Sequence, residues 1–244
     1  MHKLRSKSAL ITFSGTVLIL LAAACSVLLI IVQIESVMSR YETLQKNLLE
    51  VEQRIASIQQ WWIVLVIVFI LFTVKSFLPI FPLSAVCFIT GIVLPSYISL
   101  PVNLVGVGWL MSIRYFWGAH LGGGGVKKII RLNESIRNFM EHGGTGNPYM
   151  LFALRLIPSI PVNSVSQLYG AMKFKYTKYI LISLAGFSYK LLTYTIIGRN
   201  VFNPLSASFL VPIIILLLIS GSLLIGFNYI IELITKKQVR RENK

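Results

Sequence analysis

Five cations lie where a hydrophobic chain tolerates charge least. Lys75, Arg114, Arg155, Lys190 and Arg199 fall within or at the ends of long apolar runs. An ionisable side chain in such a run either points into a polar cavity or snorkels to an interface. Their usual partners are missing: no Glu occurs between Arg54 and Asn133 or between His142 and Ile231, and the chain has no Asp. An incoming anion is then the natural partner, and the planar fork of arginine suits phosphate oxygens. Arg155, three residues before Pro158, is the strongest single candidate. Lys173, Lys175 and Lys178 are better explained by snorkelling, a reading also open to Lys75.

The same scarcity narrows the chemistry. Paired carboxylates for general acid and base work, carboxylate metal cages and a carboxylate proton relay are absent from this region. Ser159, Ser164 and Ser166 have no His and Asp companions, which excludes a serine triad. His120 and His142 flank a glycine-rich linker as ordinary interfacial residues, and Cys25 and Cys87 read as small buried hydrophobes. No enzyme activity, metal or cofactor is expected.

The elements that must position these cations are membrane helices. The 244 residues are 55% hydrophobic and 13% charged, with a mean hydropathy of +0.76, more apolar surface than a soluble core of this size could hide. Runs of spanning length occur at Ala9 to Val32, Trp61 to Leu78, Val102 to Leu121, Thr177 to Ile197 and Leu205 to Ile231, so about five transmembrane helices are expected. The first continues past Cys25 and reads as a signal anchor instead of a cleaved leader. A net charge of +15 points to anionic headgroups, and no nucleic-acid motif supports another partner. Lys3, Arg5 and Lys7 at one end and Lys236, Lys237, Arg240, Arg241 and Lys244 at the other place both termini in the cytoplasm. Five full crossings cannot satisfy that. Either a proline-broken segment also crosses, or one terminal cluster breaks the rule.

Between the first two spans, Ile34, Val37, Tyr41, Leu44, Leu48, Val51, Ile55 and Ile58 step by threes and fours. This heptad seam is either a homo-oligomer contact or one amphipathic helix against the bilayer.

Proline supplies the remaining pattern. Pro79 and Pro82 are three apart, with Gly91 nine residues on; Pro158 and Pro161 are again three apart, with Gly170 nine residues on. Gly106 and Gly118 close the first copy, and Gly186 and Gly198 the second, twelve apart in both. The chain therefore contains an internal repeat, 79–118 and 158–198. Backbone freed by proline is tolerated at membrane depth only inside protein or along a wet cavity. Both segments are expected as re-entrant hairpins or broken helices, with one span between them, so they enter from opposite faces as an inverted repeat.

From Pro79 to Arg199 the chain resembles the DedA superfamily, especially its VTT-domain, SNARE-associated Golgi protein branch. The resemblance rests on the first hairpin ending at Gly91, on Gly118 and Gly122, and on "RLIPSIPVNSVSQLYGAMKF" followed by "GRN". It implies two opposed re-entrant hairpins and movement of lipids between leaflets, undecaprenyl phosphate or phospholipid among them. Family positions carry over at Arg155, Pro158, Pro161, Asn163 and Gly170. Two departures stand out. Members of that superfamily commonly place acidic residues near the first hairpin and a second arginine after the second proline pair; here Lys75 stands without carboxylates and Pro161 occupies the arginine's place. The family's Gly-Arg after the first repeat is also absent, since Ala119 follows Gly118.

The resulting expectation is an all-α polytopic protein of the cell membrane. Residues 1–60 form an anchor helix and heptad segment, 61–200 the membrane domain, and 201–244 a last helix with a basic tail. Its expected role is to pass an anionic lipid between leaflets through a groove lined by Arg155, Asn163, Arg114, Lys190 and Lys75. The alternatives are a small-ion or cation-efflux transporter on the same scaffold and a non-transporting assembly factor.

Overall fold

The structure, a computed structural model, describes residues 2–32, 61–78, 81–132, 147–157 and 160–242. Pro79, Pro158 and the heptad positions Ile34 to Ile58 lie outside the described residues. Helices account for nearly all of what is described, and no strand occurs among these residues. In chain order they are α1 (His2–Val32), α2 (Trp61–Phe77), α3 (Leu83–Val93), α4 (Ser96–Leu132), α5 (Pro148–Leu156), α6 (Val162–Ala171), α7 (Tyr176–Arg199) and α8 (Ala207–Glu242). Helix α4 bends at Gly122, where φ is 61° and ψ is −155°, a conformation glycine adopts without a Cβ penalty. Three stretches are long and apolar enough to cross a membrane: Ile11–Val32, Tyr176–Arg199 and Ala207–Gly226.

Proline decides where the short helices begin. Pro82 and Pro161 occupy the N-cap positions of α3 and α6 in extended conformation; each lacks an amide to continue the preceding helix, yet accepts the first bonds of the next. Helices α3, α5 and α6 have 11, 9 and 10 residues, so at 1.5 Å per residue each is only about 14 to 17 Å long, roughly half a hydrocarbon core.

Side-chain contacts give each helix its direction. Phe72 packs on Gly106, Thr73 on Trp109 and Phe77 on Trp117, so α2 runs parallel to α4. Cys87 meets Asn103, so α3 has turned back. The second copy does the same. Phe152 lies against Gly186 and Leu156 against Tyr189, making α5 parallel to α7, while α6 returns past α5 through Ser166–Arg155 and Tyr169–Asn147. The long helices α4 and α7 run antiparallel: Ser112 meets Tyr176, Gly108 faces Leu184 and Asn103 meets Thr195.

The copies are interlocked by four glycines. A Cβ on Gly91 would strike the backbone at Thr195 and Gly198, and one on Gly198 would strike Phe88. A Cβ on Gly170 would strike Tyr115, and one on Gly118 would strike Gln167. Helices α3 and α6 thus each pack backbone to backbone on the long helix of the other copy. The contact partners correspond pair by pair: Gly91 with Gly170, Phe88 with Gln167, Gly118 with Gly198 and Tyr115 with Thr195. Backbones this close leave room only for hydrogen at Cα. This is why the glycine spacing recurs.

The core between the copies is formed by Phe72, Leu110, Met111, Leu154, Leu168 and Tyr179, all almost fully buried. Outward faces remain apolar, with Leu20, Ile30, Ile70, Leu181 and Ile215 exposed. That distribution suits hydrocarbon as the surrounding medium. Helices α1 and α8 pair antiparallel at the periphery through Gly15 against Gly221 and Asn228 Nδ2 to Thr12 Oγ1 at 2.7 Å.

Candidate functional site

A cavity of about 550 Å³ lies between the two proline breaks. The first break contributes Lys75, Pro82, Leu83 and Ser84, the second Ile160, Pro161, Val162 and Asn163, and the long helices contribute Arg114 and Lys190. Among its described lining residues there are three cations and no carboxylate. Four of the five side chains expected to bind substrate therefore meet here. Of the hairpin residues, Pro82 and Pro161 line the same space, whereas Gly91 and Gly170 lie in the helix contacts described above.

Backbone carbonyls hold two of the cations. A helix that stops in apolar surroundings leaves its last carbonyls unpaired and carries the negative end of its dipole. At the end of α2, Arg114 donates from Nη2 to the carbonyl of Phe77 at 3.1 Å, and Asn163 donates from Nδ2 to the carbonyls of Lys75 and Ser76, both at 3.3 Å. At the end of α5, Lys190 Nζ donates to the carbonyls of Arg155 at 2.7 Å and Ile157 at 3.2 Å, while the Tyr189 hydroxyl donates to that of Leu156 at 2.7 Å. The helices that begin at the breaks are different. Neither Pro82 nor Pro161 provides a side-chain cap, so the positive N-termini of α3 and α6 reach the cavity without a protein acceptor on their side chains.

Lys75 is half-buried with its ammonium 6.0 Å from the centre of the Phe81 ring, and it makes no hydrogen bond or ion pair among the described residues. Arg114 also keeps spare capacity, because its buried Nε has no partner.

Arg155 does not line this cavity. Its side chain is 2% exposed, and its guanidinium donates to the carbonyl of Val162 at 3.0 Å, to Ser166 Oγ at 2.9 Å and to the Tyr179 hydroxyl at 3.0 Å. Tyr179 in turn donates to the carbonyl of Met111 at 3.2 Å. The arginine joins α5, α6, α7 and, through Tyr179, α4. The expectation that its fork faces the groove is corrected by this placement, since neutral oxygens of the protein take both terminal nitrogens and its Nε, although without a partner, is buried away from the cavity. Ser166, Tyr179 and Tyr189 hold Arg155 and the end of α5 behind the cavity wall, a role that the sequence pattern does not single out. Their signal is a hydroxyl within an apolar helix near a cation that lacks a carboxylate.

Chemically, the cavity can attract and desolvate an anion. It offers one ammonium without a hydrogen bond among the described residues, two further cations resting on carbonyls, and two helix N-termini. Among the described residues no group of His, Cys, Asp or Glu could hold a metal ion.

A family model for the VTT domain matches residues 78–200, just over half of the chain. No curated protein and no solved structure matches. The chain belongs to the VTT-domain family, the DedA/SNARE-associated Golgi proteins.

Proposed function

We propose that this VTT-domain protein carries anionic lipid headgroups between the leaflets of the cell membrane, through the cavity between its two proline breaks. The observation behind this reading is the lining itself: Lys75, Arg114 and Lys190 converge on one space without a carboxylate among its described residues. A cation burdened with three like charges would find no counter-charge there, which disfavours cation efflux. A phosphate-bearing headgroup finds donors from both copies. No bond is made or broken in this role; the protein lowers the cost of moving a charge through hydrocarbon by substituting fixed donors for water.

The helix directions support a matching topology. Helices α2 and α3 form a re-entrant hairpin from one face, α5 and α6 one from the other, and α1, α4, α7 and α8 cross fully. Four crossings keep both termini on the same side, in keeping with the basic clusters at both ends. The cytoplasmic side is then that of Lys173, Lys175 and Lys178 at the start of α7, in agreement with the bias of basic loops.

Reconstitution into vesicles carrying fluorescent lipids of several headgroups tests the proposal. Anionic lipids should equilibrate between leaflets faster than zwitterionic ones. Equal rates for both, or conduction of a small cation in place of lipid transfer, would reject it.

A further inference from the structure

An apolar groove of about 450 Å³ runs along the outer face of α2 and α4, bounded by Leu65, Val66, Phe69, Ile70, Val74 and Trp109. Its one hydroxyl, Thr73, is already engaged: Oγ1 donates to the carbonyl of Phe69 at 2.8 Å and accepts from Trp109 Nε1 at 3.0 Å. No polar atom there calls for water. The groove and the cavity are neighbours on the same two helices. Val74 lines the groove and Lys75, the next residue, lines the cavity; on α4, Trp109 precedes the cavity residue Arg114 by little more than one turn.

Resting on the headgroup reading above, we infer that this groove seats one hydrocarbon chain of the lipid whose anionic head occupies the cavity. A transported lipid must keep its tails in hydrocarbon while its head enters the protein, so the head site needs an apolar exit at its edge. From Leu65 to Val74 the groove follows α2 for roughly 13 Å at 1.5 Å per residue, a length that aligns a tail with the helix. Lipid tails are as apolar as the groove, so seating one gives little hydrophobic gain. The groove therefore guides the tail, and the cavity supplies the affinity. Val66 is 53% and Ile70 54% exposed, leaving the groove open to the bilayer along its side. The tail enters laterally instead of threading. This assigns the lateral entry to the first copy.

The test uses two lipids with a photoactivatable diazirine at the end of one acyl chain, phosphatidic acid and phosphatidylcholine, in vesicles holding the full-length protein. Phosphatidic acid should label the 65–74 segment several-fold more than the comparably exposed face around Leu181, while phosphatidylcholine should label both about equally. A Val66→Trp, Ile70→Trp double variant fills the groove. It should slow transfer of long-chain phosphatidic acid several-fold and leave binding of water-soluble dihexanoyl phosphatidic acid unchanged. Even labelling of the two faces by phosphatidic acid, or unslowed transfer by the filled variant, would overturn the groove and leave the headgroup site standing. Failure of the unaltered protein to bind the dihexanoyl lipid would overturn the headgroup reading and the groove with it.

Discussion

Lys75 and Arg155 hold matching positions in the helices that lead into the two copies, each one turn after the aromatic residue, Phe72 or Phe152, that packs against the matching glycine, Gly106 or Gly186. Their fates are opposite. Lys75 faces the cavity without a hydrogen bond among the described residues, whereas Arg155 is sealed among Val162, Ser166 and Tyr179. One scaffold, repeated, thus leaves the same position open to the cavity once and seals it inside the protein once. The difference comes from the surroundings. Only Arg155 has a tyrosine and a serine hydroxyl as hydrogen-bond acceptors, whereas a second cation holds the broken end in both cases, Arg114 at the carbonyl of Phe77 and Lys190 at those of Arg155 and Ile157. A fold built from two copies can keep one loose for function while the other is fixed.

The largest expected effect separates these two cations. Arg155→Ala removes three charge-assisted bonds and should destabilise the protein by about 3 kcal/mol or more, seen as a lower melting temperature in detergent and reduced folded yield. Lys75→Ala should melt like the unaltered protein. Equal losses for the two would break the contrast.

Gly118→Ala places a methyl group against the Gln167 backbone, which cannot rotate away as a side chain can. Overpacking of this kind costs about 1–3 kcal/mol. Gly108→Ala, with only Leu184 methyl groups at ordinary distance, should be silent. Gly170→Ala should match Gly118→Ala, because the two face each other across the same contact; a harmless Gly170→Ala would undo the interlocked arrangement. A smaller loss, about 1 kcal/mol, is expected for Asn163→Ala, whose amide holds the end of α2 with two long bonds. Its signature is slower lipid transfer at nearly normal melting, since the cap lies on the cavity wall. Lys178→Ala, on an exposed position of α7, should change neither transfer nor melting.

Several of these features are legible in the amino-acid sequence alone. Glycine at Gly91, Gly118, Gly170 and Gly198 is visible as a spacing because close backbone approach excludes every other residue. The cations stand out because hydrocarbon gives charge no solvent. Which cation faces inward is not legible. It depends on Tyr179 and Ser166 coming within about 3 Å of Arg155, and those residues arrive from different helices. The stretch Trp61 to Leu78 shows a second limit: its composition does not tell that the chain beyond it, in α3, runs back along α4. Only the contacts of Phe72, Phe77 and Cys87 reveal the turn.

The most direct test of the central claim is leaflet-to-leaflet transfer of fluorescent phosphatidic acid by reconstituted Lys75→Glu, measured beside the unaltered protein at equal folded amounts. Reversing the one cavity charge that makes no hydrogen bond among the described residues should leave melting unchanged and abolish transfer of the anionic lipid, with Lys75→Arg retaining most of it. Full phosphatidic acid transfer by Lys75→Glu would contradict the account, because an anion could not then be passing through the cavity that this residue lines.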